Sequence, residues 1–220
     1  MVYKPLLKPK NRREGLFWRT LSTCVLLVFV VFVLLGPTFL CVFLGIGIIA
    51  RSAYELFRLP VVCAKKMVFL CSIFFLLICC GTVCLVALRL YEGSAALAWL
   101  ILVISTEDIA AYGFGRAIGG PKIFPKTSPQ KTWSGCVGGL TMATLAGGFL
   151  EPLREGLCMP LLANAVALFG MLGDYIESFV KRRLGIKDFD TCIPGHGGIL
   201  DRLDSLLAAA IFLWCLLLWK

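Results

Sequence analysis

Seven apolar runs separated by short polar segments leave this chain few ways to fold. A spanning helix needs about 20 mostly apolar residues, with about 17 as a lower limit. Backbone amides in hydrocarbon must also be satisfied within the segment, which favours helices. The runs cover roughly 20–35, 37–52, 67–88, 95–113, 134–150, 157–173 and 203–219. The first two share one stretch divided at Gly36-Pro37, where the missing proline amide and the restricted preceding residue predict a break. A single bent span is the rival reading there, and 67–94 could instead hold a shorter or re-entrant pair. At 59% hydrophobic residues and a mean hydropathy of +0.89, the chain is more apolar than a soluble domain, where roughly 45–50% is usual. The expected fold class is an all-α, polytopic membrane helical bundle of about seven transmembrane helices in one integral-membrane domain, residues 1–220.

Charge sets the expected orientation. With the N-terminus inside, segments 1–20, 51–66, 114–133 and 174–202 face the cytoplasm and hold 19 of the 22 Lys and Arg, leaving Arg89, Arg154 and Lys220 outside. Such asymmetry predicts seven spans with the N-terminus cytoplasmic and the C-terminus out. The net charge of +9 has no soluble basic domain through which to bind nucleic acid. A membrane surface and anionic phosphates suit it better. Nine of the eleven cysteines lie inside apolar runs and read as small packing residues, not as a disulfide framework. No small-residue cleavage site closes the run after the basic segment 1–20, so that run reads as a retained first span.

Residues 174–205 concentrate charge of both signs between two apolar runs. Asp174, Glu177, Ser178 and Lys181 share one helical face if the sixth span continues as a helix. Asp201, Asp204 and Ser205 repeat the spacing at the start of the seventh. Carboxylate pairs of this kind repel unless a cation compensates, and carboxylate oxygens with waters and substrate phosphates are what Mg²⁺ prefers. The plainer reading is that Asp201 and Asp204 complement a helix N-terminus. Between the pairs lies Pro194-Gly195-His196-Gly197-Gly198. Its backbone can approach a ligand closely, and its amides could form an anion-binding concavity. With His196 the only histidine, a His-based metal site is excluded.

Two more places carry chemistry. Glu107 and Asp108 interrupt the fourth span, where an acid costs about 2.5–3.5 kcal/mol and should face a polar cavity. Tyr112 lies four residues from Asp108 on the same face, and Arg116 follows. The polar segment 114–133 holds Lys122, Lys126, Ser128, Lys131 and Thr132, while Pro121, Pro125 and Pro129 prevent a long helix. Lysines and hydroxyls on such a loop suit phosphate, and an ordinary positive-inside loop is the alternative. No GxxxxGK[ST] and no GxSxG occurs, so phosphate-loop and hydrolase-elbow chemistry have no motif.

These residues resemble a known family. Ser178-x-x-Lys181-Arg182, Lys187-Asp188 and Pro194-Gly195-His196-Gly197-Gly198-x-x-Asp201-Arg202-x-Asp204-Ser205 are similar to the hallmark of the phosphatidate cytidylyltransferases, the CDP-diacylglycerol synthases. Asp108-x-x-Ala111-Tyr112, Gly115-Arg116, Gly119 and Ser128-Pro129-x-Lys131-Thr132-Trp133-x-Gly135 form a second matching block, and Tyr54-Glu55-Leu56 a weaker third. Ser134 stands where the family usually has glutamate, and the chain is short between spans two and four.

The resemblance implies cytidylyl transfer from CTP to phosphatidic acid, giving CDP-diacylglycerol and pyrophosphate, with Mg²⁺ and a paired second cation, in a homodimer. It implies Asp174 and Asp201 as cation ligands, with Lys181 and Asp204 joining them in catalysis. Substrate contacts are expected from Asp108, Tyr112, Arg116, Ser128, Lys131, Thr132, Ser178, Arg182, Lys187, His196, Gly197, Gly198 and Arg202. The expected setting is a bacterial inner membrane with the site on the cytoplasmic side. A CTP-dependent lipid kinase, a secondary transporter and a non-catalytic lipid-binding relative are the alternatives. The DGxxAR core of CDP-alcohol phosphotransferases is absent.

Overall fold

The computed structural model describes residues 12–58, 65–125, 127–150, 158–186, 188–190 and 198–219. Each apolar run becomes one helix. They are α1 (Arg12–Leu35), α2 (Thr38–Phe57), α3 (Lys65–Tyr91), α4 (Gly93–Ala117), α5 (Trp133–Gly148), α6 (Met159–Arg183) and α7 (Leu200–Leu218). The Gly36-Pro37 break separates α1 from α2, with Pro37 as the N-cap of α2. Arg89 donates to the Leu34 and Gly36 carbonyls at 3.3 and 3.1 Å, meeting acceptors that the end of α1 leaves open. The stretch from 65 to 91 is one helix of 27 residues, not a re-entrant pair.

α2, α3 from Met67, α4 and α6 are long and apolar enough to cross a membrane. α5, at 16 residues, falls just under the usual spanning length, and α7 opens with Asp201, Arg202 and Asp204. Large apolar side chains such as Leu35, Phe57, Phe69 and Leu76 stand outward. A water-soluble protein seldom exposes so many together, whereas lipid covers them at no cost, and the chain is an all-α integral membrane protein.

The helices pack in a chain of neighbours, α2 on α3, α3 on α7, α7 on α6, α6 on α5 and α5 on α4. One apolar cluster centres on Trp99, Leu100, Val103, Val166, Ala167, Ala210 and Leu213. A second lies against the charged segment and includes Leu56, Phe74, Ile78, Val180, Leu184, Phe189, Leu200 and Leu207. α6 and α7 approach closely because Gly173 faces Ala208: a Cβ there would lie 2.5 Å from the Ala208 Cβ and 2.7 Å from the Asp204 carbonyl oxygen.

The polar segment after α4 is not wholly irregular. β1 (Lys122–Phe124) and β2 (Ser128–Thr132) pair antiparallel, Lys122 opposite Thr132 and Phe124 opposite Ser128. A two-stranded hairpin tolerates Pro129 because each strand has a free edge. The hairpin is seated on α6. Phe124 meets the Tyr175 ring edge-on at 4.9 Å between centroids, and Arg182 Nε donates to the Thr127 carbonyl at 3.3 Å.

Candidate active site

α6 supplies the centre of the site. Its spacing puts Asp174, Glu177, Ser178 and Lys181 on one face, and the contacts follow it. Ser178 Oγ lies 3.3 Å from Asp174 Oδ1, and Lys181 Nζ donates to Glu177 Oε1 at 3.1 Å. The helix ends just beyond Lys181. Gly185, at φ +71°, donates to the Arg182 carbonyl, and Ile186 to the Lys181 carbonyl at 3.0 Å. This is the Schellman arrangement, in which a left-handed glycine ends a helix. Its last turn therefore holds Lys181, Arg182 and Arg183 where the helix dipole favours cations.

α7 brings Asp201 and Asp204 against this face, and the two acids have different surroundings. Asp204 joins Asp174 and Glu177: one carboxylate oxygen from each lies within 4.8 Å of the others. Asp201 Oδ1 accepts from Lys181 Nζ at 2.9 Å, while Oδ2 accepts from the Gly198 amide at 2.7 Å and the Phe189 amide at 3.3 Å. The resemblance pairs Asp174 with Asp201. The described geometry groups Asp174 with Glu177 and Asp204 and turns Asp201 to Lys181 and the loop backbone. The close contact at Gly173 sets this registry, because it brings the Asp204 turn of α7 beside Asp174.

The hairpin and α4 complete the wall. Lys131 forms an ion pair with Asp174 Oδ2 and stands 4.5 Å from the centroid of the Tyr175 ring. Asp108, exposed on α4, interacts electrostatically with Asp174, Asp204 and Lys131. Glu107 beside it is buried and packs where α5 has Gly139. Among the described residues, six acids (Glu107, Asp108, Asp174, Glu177, Asp201 and Asp204) thus lie around the ammonium groups of Lys131 and Lys181. Carboxylates 4.8 Å apart repel by about 3 kcal/mol per pair at an effective dielectric near 20. Among the described residues, Lys131 and Lys181 offset that repulsion in part, and further positive charge would relieve more of it.

Other expected residues have different partners. Tyr112 Oη accepts from Arg116 Nη1 at 3.0 Å on the exposed face of α4. Thr132 is buried as the N-cap of α5, accepting from the Gly135 amide at 3.2 Å. Ser134 bonds Thr132 Oγ1 at 3.0 Å and the Gly119 carbonyl, so in place of glutamate this chain has a hydroxyl that ties the hairpin base to α5. Ser128 lies in β2, Arg182 holds the hairpin turn, and Arg202 is exposed in the first turn of α7. Lys187, His196 and Gly197 lie outside the described residues. Glu177 was legible as the i+3 neighbour of Asp174 yet absent from the expected ligand set.

A membrane helical bundle that gathers carboxylates and lysines around one centre is suited to a metal-assisted reaction of phosphates. Residues 61–219 match the cytidylyltransferase family, and the chain belongs to that family. A phosphatidate cytidylyltransferase of Brucella suis biovar 1 is 46% identical over 126 residues, 56% of this chain and 46% of that protein. Those of Helicobacter pylori J99 and Haemophilus influenzae are each 41% identical, over 135 residues (58% and 50% of the two chains) and 130 residues (56% and 45%) respectively. The chain spans about half the length of the curated relatives it matches.

Proposed function

We propose that the protein transfers a cytidylyl group from CTP to phosphatidic acid, releasing pyrophosphate and leaving CDP-diacylglycerol in the bilayer. The observation that carries this reading is the convergence of Asp174, Glu177 and Asp204 beside Lys131 and Lys181 in a member of the cytidylyltransferase family. The similarity to named phosphatidate cytidylyltransferases supports the lipid acceptor.

The attacking atom is a phosphate oxygen of phosphatidic acid, the bond broken is that from the CTP α-phosphorus to its bridging oxygen, and pyrophosphate carries the electron pair away. An anionic nucleophile needs no strong base, so the barrier is one of bringing polyanions together and holding them in line. The oxygen-only donor set of Asp174, Glu177 and Asp204 fits a hard divalent cation such as Mg²⁺. Bound there, it would neutralise phosphate charge and polarise the phosphoryl group.

The chain's own cations have the complementary task. Lys131 and Lys181 rest on carboxylates and exchange them for substrate phosphate. Were Lys181 to turn to phosphate, Asp201 Oδ1 would be open to a second cation, and Asp174 and Asp201 would then both serve as ligands. The resemblance adds Arg182, Arg202, Lys187 and His196 as further contacts to substrate phosphate. In this reading seven helices cross a bacterial inner membrane and the site opens to the cytoplasm, where CTP is available.

Purified protein in lipid nanodiscs, given CTP labelled at the α-phosphate, phosphatidic acid and Mg²⁺, should form labelled lipid and release pyrophosphate in equal amounts. Release of CDP with phosphorylated lipid would make it a kinase. Movement of substrate across liposomes with no covalent product would make it a transporter.

A further inference from the structure

The motif Tyr54-Glu55-Leu56 lies on α2, outside the family-matched residues 61–219, and the reaction described above gives it no task. Its glutamate is unusually placed. The Glu55 side chain is 0% exposed, and a buried carboxylate persists only where charge and hydrogen bonds compensate it. Oε1 accepts from Arg51 Nε at 3.2 Å, one turn earlier on α2, and from the Ile199 amide at 3.3 Å, 144 residues away.

That second bond is a helix cap. The N-cap residue of α7 is Ile199, which offers no side-chain acceptor to its own first turn. The open amides at a helix start need one, and a negative charge there is favoured. Glu55 supplies both from another helix. Arg51 reaches the other end of the same loop, forming an ion pair with Asp190. Phe189 anchors that end by stacking on Phe74 of α3 at 5.5 Å between centroids.

The ends of the loop meet at Gly198. A Cβ there would lie 2.9 Å from Glu55 Oε2, 3.2 Å from Asp201 Oδ2 and 3.3 Å from the Asp190 amide nitrogen. A side chain at this position would crowd both carboxylates and oblige at least one of them to shift. One of them, Asp201, also holds Lys181 in the reacting centre. Glu55 therefore grips the outer side of a loop whose inner side is gripped by a site residue.

We propose that Arg51 and Glu55 are a positioning pair that holds both ends of the 190–198 segment and the first turn of α7 in register with Asp201 and Lys181. The pair touches no reacting atom. Its effect on substrate passes through Asp201 and Lys181, and in the cytidylyl-transfer reading, on which this kinetic part rests, these act on the nucleotide phosphates.

Hydrogen exchange of the protein in nanodiscs tests the positioning without reference to the reaction. Glu55→Ala should speed exchange in peptides spanning 188–200 by roughly tenfold or more and leave α5 unchanged. Glu55→Gln keeps an acceptor oxygen and should restore most of the protection. In turnover assays Glu55→Ala should raise the KM for CTP by roughly tenfold and alter that for phosphatidic acid by less than about twofold, with Glu55→Gln close to the parent. Parental exchange in Glu55→Ala would overturn the proposal. So would a rise spread evenly over all helices, which marks a general fold-stabilising pair, or KM values that rise equally for both substrates. If exchange behaves as expected and the parent protein makes no CDP-lipid, the cytidylyl-transfer reading fails and the positioning pair stands.

Discussion

The two packed regions of this bundle are built on opposite rules. Around Trp99, Leu100, Val103, Ala167 and Ala210 the interior is apolar, and the buried Trp99 indole N–H finds the Gly147 carbonyl at 2.9 Å. Around Phe74, Leu184, Phe189 and Leu207, helices α2, α3, α6 and α7 enclose Glu55, Glu177 and Ser205, with Asp201 and Asp204 at the edge. In lipid the first region gains little from burial as such, since acyl chains are as apolar as leucine, and is held by close packing. The second holds like charges in proximity, which Lys131 and Lys181 offset in part. The difference separates what holds the helices together from what they are held together to do.

Replacing Lys181 should break the polar region most severely. Lys181→Met leaves Glu177 and Asp201 without their shared ammonium, and uncompensated buried charge costs about 3–5 kcal/mol. We expect a lower thermal midpoint together with turnover reduced about a hundredfold or more. Thermal unfolding and steady-state assays on the same preparation check both. A more stable Lys181→Met would show that this lysine does not offset the charge of the two carboxylates.

Leu100→Ala should do the reverse, and more mildly. It removes packing in the apolar region and should cost about 2 kcal/mol, the low end for such truncations because lipid offsets the transfer part of the penalty. Turnover per folded molecule should be unchanged, which scanning calorimetry and activity at matched folded fraction can establish. A large fall in turnover would mean that the two regions are mechanically coupled through α4 or α6.

Much of this arrangement was legible in the sequence because it is periodic. The apolar runs gave the helices, Gly36-Pro37 gave the break between α1 and α2, and the i, i+3 and i+4 spacing on α6 placed Ser178 on Asp174 and Lys181 on Glu177. What escaped depends on how separate elements meet. The grouping of Asp174 with Asp204 follows from the rotation of α7 against α6, fixed at the Gly173–Ala208 contact. The hairpin at 122–132 is too short for alternation to reveal it beside three prolines. Nothing local in Tyr54-Glu55-Leu56 says that its glutamate caps a helix 144 residues later.

The claim that Asp174, Glu177 and Asp204 form one cation site is tested most directly by binding, before any turnover. Mn²⁺, an electron-spin-resonance-active stand-in for Mg²⁺, should be retained by the protein in nanodiscs without CTP or lipid. Asp204→Asn and Glu177→Gln should each weaken that retention by about tenfold or more without lowering the thermal midpoint measured in chelator, since each removes a repelling charge. Undiminished Mn²⁺ binding in both variants would contradict the assignment and move the metal away from this cluster.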